Sequence, residues 1–151
     1  AAASIWNKFQ AGVKNIIPIN IINFGSTNLR SFGLSNKKVE YIISLSSFMI
    51  ENPSAINSWK NMDDEKVINE LCKIKGIGPW SAEMFLMFVF LRQDILPLGD
   101  LGLRKAVGIN YLQKHDPTYE EVEKVAKTWK PYRSAATWYL WRSIDPMPVS
   151  Y

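Results

Sequence analysis

Two short stretches of this 151-residue sequence carry residue types suited to chemistry. The first, Leu71-Cys-Lys-Ile-Lys-Gly-Ile-Gly-Pro-Trp-Ser-Ala82, joins two apolar segments through a turn built on Gly76 and Gly78. Glycine accepts positive φ and lets another group approach the backbone closely. Pro79 suits the first position of the next helix, where its missing N–H costs nothing. Free N–H groups and the positive dipole end at that helix start, with Lys73 and Lys75 nearby, suit a phosphate oxygen such as those of a nucleic-acid backbone. A sharp helix–helix turn with no ligand is the alternative, and a bare Gly-x-Gly does not separate the two. In the second stretch, Leu96-Pro-Leu-Gly-Asp-Leu-Gly-Leu103, Asp100 closes a loop and is placed to cap the helix that follows. A carboxylate that accepts N–H bonds is favoured in its charged form.

Composition narrows the chemistry further. Cys72 is the sole cysteine and His115 the sole histidine, so the sequence holds no disulfide framework, zinc-ligand spacing or four-cysteine cluster. His115 lies in a polar turn and is assigned no role. The formal charge of +4 is a mild bias toward anionic partners. Apolar residues at 47% and charged ones at 21% predict an ordinary folded chain, and its length predicts one domain. The longest apolar run, Met84 to Leu91, is far shorter than the roughly 20 residues of a membrane span. An intracellular protein is expected, in the cytoplasm or nucleoid of a bacterium or the nucleus of a eukaryote, with no membrane partner and a monomeric state.

Helical periodicity dominates the elements that must position these residues. Ala1-Ala-Ala-Ser-Ile-Trp-Asn-Lys-Phe9 begins in mid-helix, from which a longer native chain is expected. Pro18 and residues 23–27 are expected to break this first helix. Ser35 caps a second helix that ends before Pro53; a short turn spans Ser54 to Trp59, and Asp63-Asp-Glu65 opens a helix with Val67, Ile68, Leu71 and Ile74 on one face. Pro79 starts a helix to about Leu91 that is apolar nearly all round and is therefore expected at the centre. Asp100 caps a helix through Val107, and Thr118 with Glu121 forms a capping box. Pro131 is expected to start the last helix, ending near Asp145. About seven helices and no strand predict an all-α helical bundle.

The first stretch resembles the helix-hairpin-helix of the base-excision DNA glycosylase superfamily, and the second resembles that superfamily's catalytic-aspartate loop. Residues 32–41, 76–82 and 129–141, the last reading Trp-Lys-Pro-Tyr-Arg-Ser-Ala-Ala-Thr-Trp-Tyr-Leu-Trp, are similar to the DNA-3-methyladenine glycosylase II branch. The resemblance keeps its order through most of the chain. It implies one glycosylase domain over 1–151, lacking N-terminal helices, with its hairpin at 71–82 and its catalytic loop at 96–103.

The implied chemistry is hydrolysis of the N-glycosidic bond of alkylated purines such as 3-methyladenine and 7-methylguanine in double-stranded DNA. Asp100 maps onto the catalytic aspartate, which stabilises an oxocarbenium-like sugar and orients or activates a water at C1′. A helix from Trp80 to Leu91 rises about 18 Å and an eight-residue loop spans up to about 27 Å, enough to return Asp100 to Trp80. Trp80 and Trp141 map onto aromatic walls of the base pocket, where a cationic base binds by stacking and cation–π attraction. Trp138 and Tyr139 are weaker candidates for that role, and a helical stripe such as Trp80, Met84, Met87, Phe88 and Leu91 is more often a core face than a pocket. Strand-cutting members of the superfamily carry a lysine where Trp80 stands, so a monofunctional enzyme leaving an abasic site is expected.

DNA contacts are expected from Gly76, Gly78, Lys73, Lys75 and Arg104, with Arg133 a further candidate; a solvated helix face is the alternative for the arginines. The resemblance implies no cofactor for the chemistry and a structural Na+ or K+ on the backbone carbonyls of Cys72, Ile74 and Ile77. It also places the wedge that fills the gap left by a flipped nucleotide ahead of the present first helix. Two rival functions remain at this level: a non-enzymatic helix-hairpin-helix DNA-binding module, and a structural helical domain that binds proteins.

Overall fold

The computed structural model describes residues 2–145, and among these it contains ten α-helices and no strand. The all-α expectation holds. The chain divides into two compact units, Ala1–Gly78 and Pro79–Tyr151. Among the described residues no helix is long and apolar enough to cross a membrane.

In the first unit, α1 (Ala2–Val13), α2 (Pro18–Phe24), α3 (Ser26–Ser31) and α4 (Asn36–Glu51) surround a core of Phe9, Val13, Ile21, Leu29 and Val39. Pro18 opens α2 at its first turn, where proline is tolerated, rather than merely ending α1. Gly25, at φ +83°, then separates α2 from α3, so the expected single break is two short helices. Ser35 caps α4, its hydroxyl accepting the Lys38 amide at 3.3 Å. α5 (Ala55–Trp59) and α6 (Asp64–Cys72) follow. α6 buries Val67 and Leu71, and Ile74 just beyond it is also buried, the face expected from their spacing.

The second unit holds α7 (Pro79–Phe88), α8 (Leu101–Val107), α9 (Tyr119–Ala126) and α10 (Arg133–Ile144), with a π-helical turn at Gly108–Leu112 and a 3-10 turn at Lys127–Trp129. Its core is Leu103, Ala106, Val107, Val122 and Leu140. The capping box is present in full: the Glu121 amide reaches the Thr118 hydroxyl at 3.2 Å and the Thr118 amide reaches the Glu121 carboxylate at 2.8 Å.

Two helix boundaries differ from expectation. α7 stops at Phe88 rather than Leu91, because the Arg92 amide turns back to the Leu86 carbonyl at 2.9 Å and Leu91 takes a left-handed φ of +53°. Its apolar surface is also not all central: Trp80, Phe88 and Val89 are exposed. The last helix begins at Arg133, two residues after Pro131, because residues 129–132 form a turn closed by the Tyr132 amide on the Trp129 carbonyl.

Of the two hairpin glycines, only Gly76 needs to be glycine for the fold. Its φ is +93°, and a Cβ there would sit 2.1 Å from the ring of Tyr41. Gly78 has no positive φ and open space around its would-be Cβ. Gly76→Ala is expected to cost about 2 kcal/mol or more in urea unfolding, whereas Gly78→Ala stays within about 0.5 kcal/mol of the parent.

Candidate active site

Asp100 is the N-cap of α8, as its position before an apolar helix requires: its Oδ1 accepts the Leu103 amide at 2.6 Å. The same carboxylate accepts two indole N–H groups. Trp80, in the first turn of α7, donates to Oδ2 at 2.8 Å, and Trp141, near the end of α10, donates to Oδ1 at 2.8 Å. The cap and the aromatic ligation of Asp100 therefore coexist. A carboxylate offers about four acceptor positions, so the fourth, on Oδ2, remains for a substrate group or water.

These three residues line one side of a cavity of about 440 Å³ completed by Ser81, Met84 and Phe88. Its walls are apolar and aromatic, with Asp100 as the charged group. The ring of Phe88 stacks on Trp141, with centroids 6.3 Å apart and planes 21° from parallel. Trp80, Met84 and Phe88 stand at i, i+4 and i+8, so one stripe of α7 faces the cavity. The sequence permitted a core or a pocket for this stripe; Met87 is buried while Trp80 and Phe88 are exposed, which divides it between both. Gly102 lets the second indole come close: a Cβ there would meet Asp100 Oδ1 at 3.1 Å and Trp141 Nε1 at 3.4 Å.

Trp138 and Tyr139 do not reach this cavity. Trp138 lines a separate groove with Tyr132 and Leu91, and Tyr139 is 70% exposed. Arg104 is taken up inside its own unit: its guanidinium pairs with Asp116, lies 3.4 Å from the Pro117 carbonyl and sits over the Tyr119 ring. Lys73 and Lys75 are exposed and pair with Glu70 and Glu40; the Glu40 carboxylate holds the Lys75 ammonium above its ordinary value. At the hairpin, the Ile77 amide donates to the Ile74 carbonyl at 3.0 Å, leaving that oxygen one further lone pair.

Several residues that shape the site do so in ways their sequence positions do not announce. Arg133 holds the loop before Asp100 by donating Nε to Asp94 Oδ1 at 2.6 Å, and Nη2 to Asp94 Oδ2 at 2.8 Å and to the Asp94 carbonyl at 3.0 Å. Ser134 adds to this clamp, its hydroxyl donating to the Arg92 carbonyl at 2.6 Å and accepting the Ile95 amide at 2.9 Å. Arg133, a candidate phosphate contact with a solvated helix face as the alternative, is thus engaged with Asp94 inside its own unit. Glu83, the one acid on α7, is half-buried; burial and then the charge of Asp100 push its carboxyl up to about 7.

With this geometry the family becomes clear. A model of the HhH-GPD superfamily base excision DNA repair protein matches residues 1–131, and the chain belongs to that family. Among its relatives are the Bacillus subtilis protein YfjP, 35% identical over 128 residues, and DNA-3-methyladenine glycosylase 1 of Schizosaccharomyces pombe, 33% identical over 150 residues. They match 85% and 95% of this chain, which spans 45% and 64% of their lengths. A solved structure of the Schizosaccharomyces pombe 3-methyladenine DNA glycosylase Mag1 in complex with abasic DNA superposes with a TM-score of 0.83 at 30% identity, covering 94% of this chain and 71% of that one.

Two outcomes test this construction. Trp141→Phe keeps an aromatic wall beside Phe88 but removes a donor to Asp100, and is expected to lower stability by about 1 kcal/mol in denaturant melts. The Arg133 guanidinium holds the Asp94 carboxyl below its ordinary value, so this clamp stabilises the fold above about pH 4 and is lost as the pH falls through the lowered value. Acid titration of Asp94→Asn should therefore show a smaller loss of stability below about pH 4 than the parent shows.

Proposed function

We propose that this chain forms the catalytic part of a DNA glycosylase that hydrolyses the N-glycosidic bond of alkylated purines, 3-methyladenine and 7-methylguanine among them, and leaves an abasic site. The observation that carries this reading is the Asp100 carboxylate, held by Trp80 and Trp141 in the wall of an aromatic cavity. A cationic purine finds electron-rich faces there, and a sugar losing its base finds a fixed negative charge. The unfilled acceptor position on Oδ2 suits a water aimed at C1′. Trp80 stands where a Schiff-base lysine would be needed for strand cleavage, which supports water as the nucleophile.

Duplex DNA is the proposed partner, with Gly76 and Gly78 offering backbone to phosphates. Lys73 and Lys75 are available because solvent-exposed ion pairs exchange readily for other anions. Arg104 is a poorer contact than its position in the sequence promised, since a phosphate would have to displace Asp116. The relatives named for 3-methyladenine and the abasic DNA bound to Mag1 support both substrate class and product. Carbonyl oxygens are hard ligands, so Cys72, Ile74 and Ile77 suit a structural Na+ or K+, which would stiffen the turn.

The test is to incubate the full-length protein with duplexes carrying 3-methyladenine or 7-methylguanine and to quantify free base and strand nicks separately. Free base with alkali-labile but unnicked strands is expected. Nicked strands would overturn the monofunctional mechanism, and DNA binding without base release would favour a non-enzymatic binding module.

A further inference from the structure

One polar side chain in the wall of the Asp100 cavity is left idle by the chemistry above. Ser81, in the first turn of α7, lines the cavity beside Trp80 and is partly buried. Serines in other helices turn their hydroxyls back onto the chain: Ser31, Ser46, Ser58 and Ser143 each donate to a carbonyl three or four residues earlier, at 2.7 to 2.8 Å. Among the described residues no hydrogen bond engages the Ser81 hydroxyl. The other lining residues make that hydroxyl distinctive. Trp80 and Trp141 each have a single indole donor, and both are committed to Asp100. A carboxylate only accepts, the Met84 thioether is a weak acceptor, and Phe88 has no polar atom. Ser81 Oγ–H is therefore the uncommitted side-chain donor among the residues that line the cavity.

We propose that Ser81 is the hydrogen-bond donor to the departing base, touching an acceptor atom on the edge of a purine held between the aromatic walls. The proposal rests on the glycosylase reading of the Asp100 cavity. Aromatic faces stack on any flat ring, so the polar edge of the base has to be met by something else, and a purine edge carries ring-nitrogen or keto acceptors. As the C1′–N bond breaks, its electron pair moves onto the base; the hydroxyl keeps its proton and only donates a hydrogen bond. The acceptor atoms of the base grow richer in electrons during that step, so the bond from Ser81 is stronger in the transition state than in the bound substrate. Its contribution accordingly falls on the rate of release more than on affinity.

The test is single-turnover release of 7-methylguanine by the full-length protein at saturating protein concentration. Binding to a duplex carrying tetrahydrofuran, an uncharged abasic-site analogue, is the control, since that site has no base to contact. Ser81→Ala should release the base about three- to tenfold more slowly than the parent. Its tetrahydrofuran affinity should match that of the parent, and its melting temperature should not fall, alanine being a good helix former. Ser81→Thr keeps a hydroxyl and should recover most of the rate. Release by Ser81→Ala at the parent rate overturns the role of Ser81 while leaving the glycosylase reading intact. An equal loss of tetrahydrofuran binding, or a Ser81→Thr variant as slow as Ser81→Ala, overturns it as well. If the parent releases no methylated base, the glycosylase reading itself fails, and this inference with it.

Discussion

The structure depends most on how one carboxylate is held. Asp100 accepts a backbone amide and two indole N–H groups, one from each of two helices that are distant in sequence. Each bond to a charged acceptor is stronger than a neutral one and fixes orientation as well as position. Preorganisation of this kind matters because a charge aimed beforehand at the site of developing positive charge needs no rearrangement during reaction. The rest of the second unit maintains that aim. α8 presents the cap, α10 supplies Trp141, and the clamp from Arg133 and Ser134 to residues 92–95 holds the loop that leads to Asp100.

An indole serves two ends here. Its N–H orients the acid, while its face forms the wall against which a flat cation can stack. The cavity has little polar lining besides Asp100 and Ser81, which on the proposed function suits an electron-poor ring, since stacking on electron-rich faces needs few hydrogen bonds. Gly102 belongs to the same arrangement, since a side chain there would crowd both the carboxylate and Trp141.

What was legible in the sequence was mostly local. The caps at Ser35, Asp100 and Thr118 are decided by residues three apart, so sequence alone exposes them. The apolar face of α6 followed from its spacing. Boundaries set by distant partners were not legible: Asp94 accepts the Arg133 amide at 3.3 Å across 39 positions, and α10 accordingly starts there rather than at Pro131. The two hairpin glycines looked equivalent because glycine's freedom is visible in sequence while its use is not; Tyr41 makes the difference at Gly76. Glu83 was in plain view as a lone acid, but its chemistry arises from burial and from Asp100, neither of which a helix pattern reports. The family resemblance placed Trp80 and Trp141, and the hydrogen bonds give the physical reason they stand beside Asp100.

The most direct measurement is single-turnover release of 7-methylguanine by Asp100→Asn, with duplex binding measured on the same preparation. The amide nitrogen of Asn cannot accept an indole N–H, and the side chain carries no charge. Release should fall by about a hundredfold or more while binding changes little. Release at the parent rate from a folded variant would contradict the account, because the cavity would then work without the charge around which it is built.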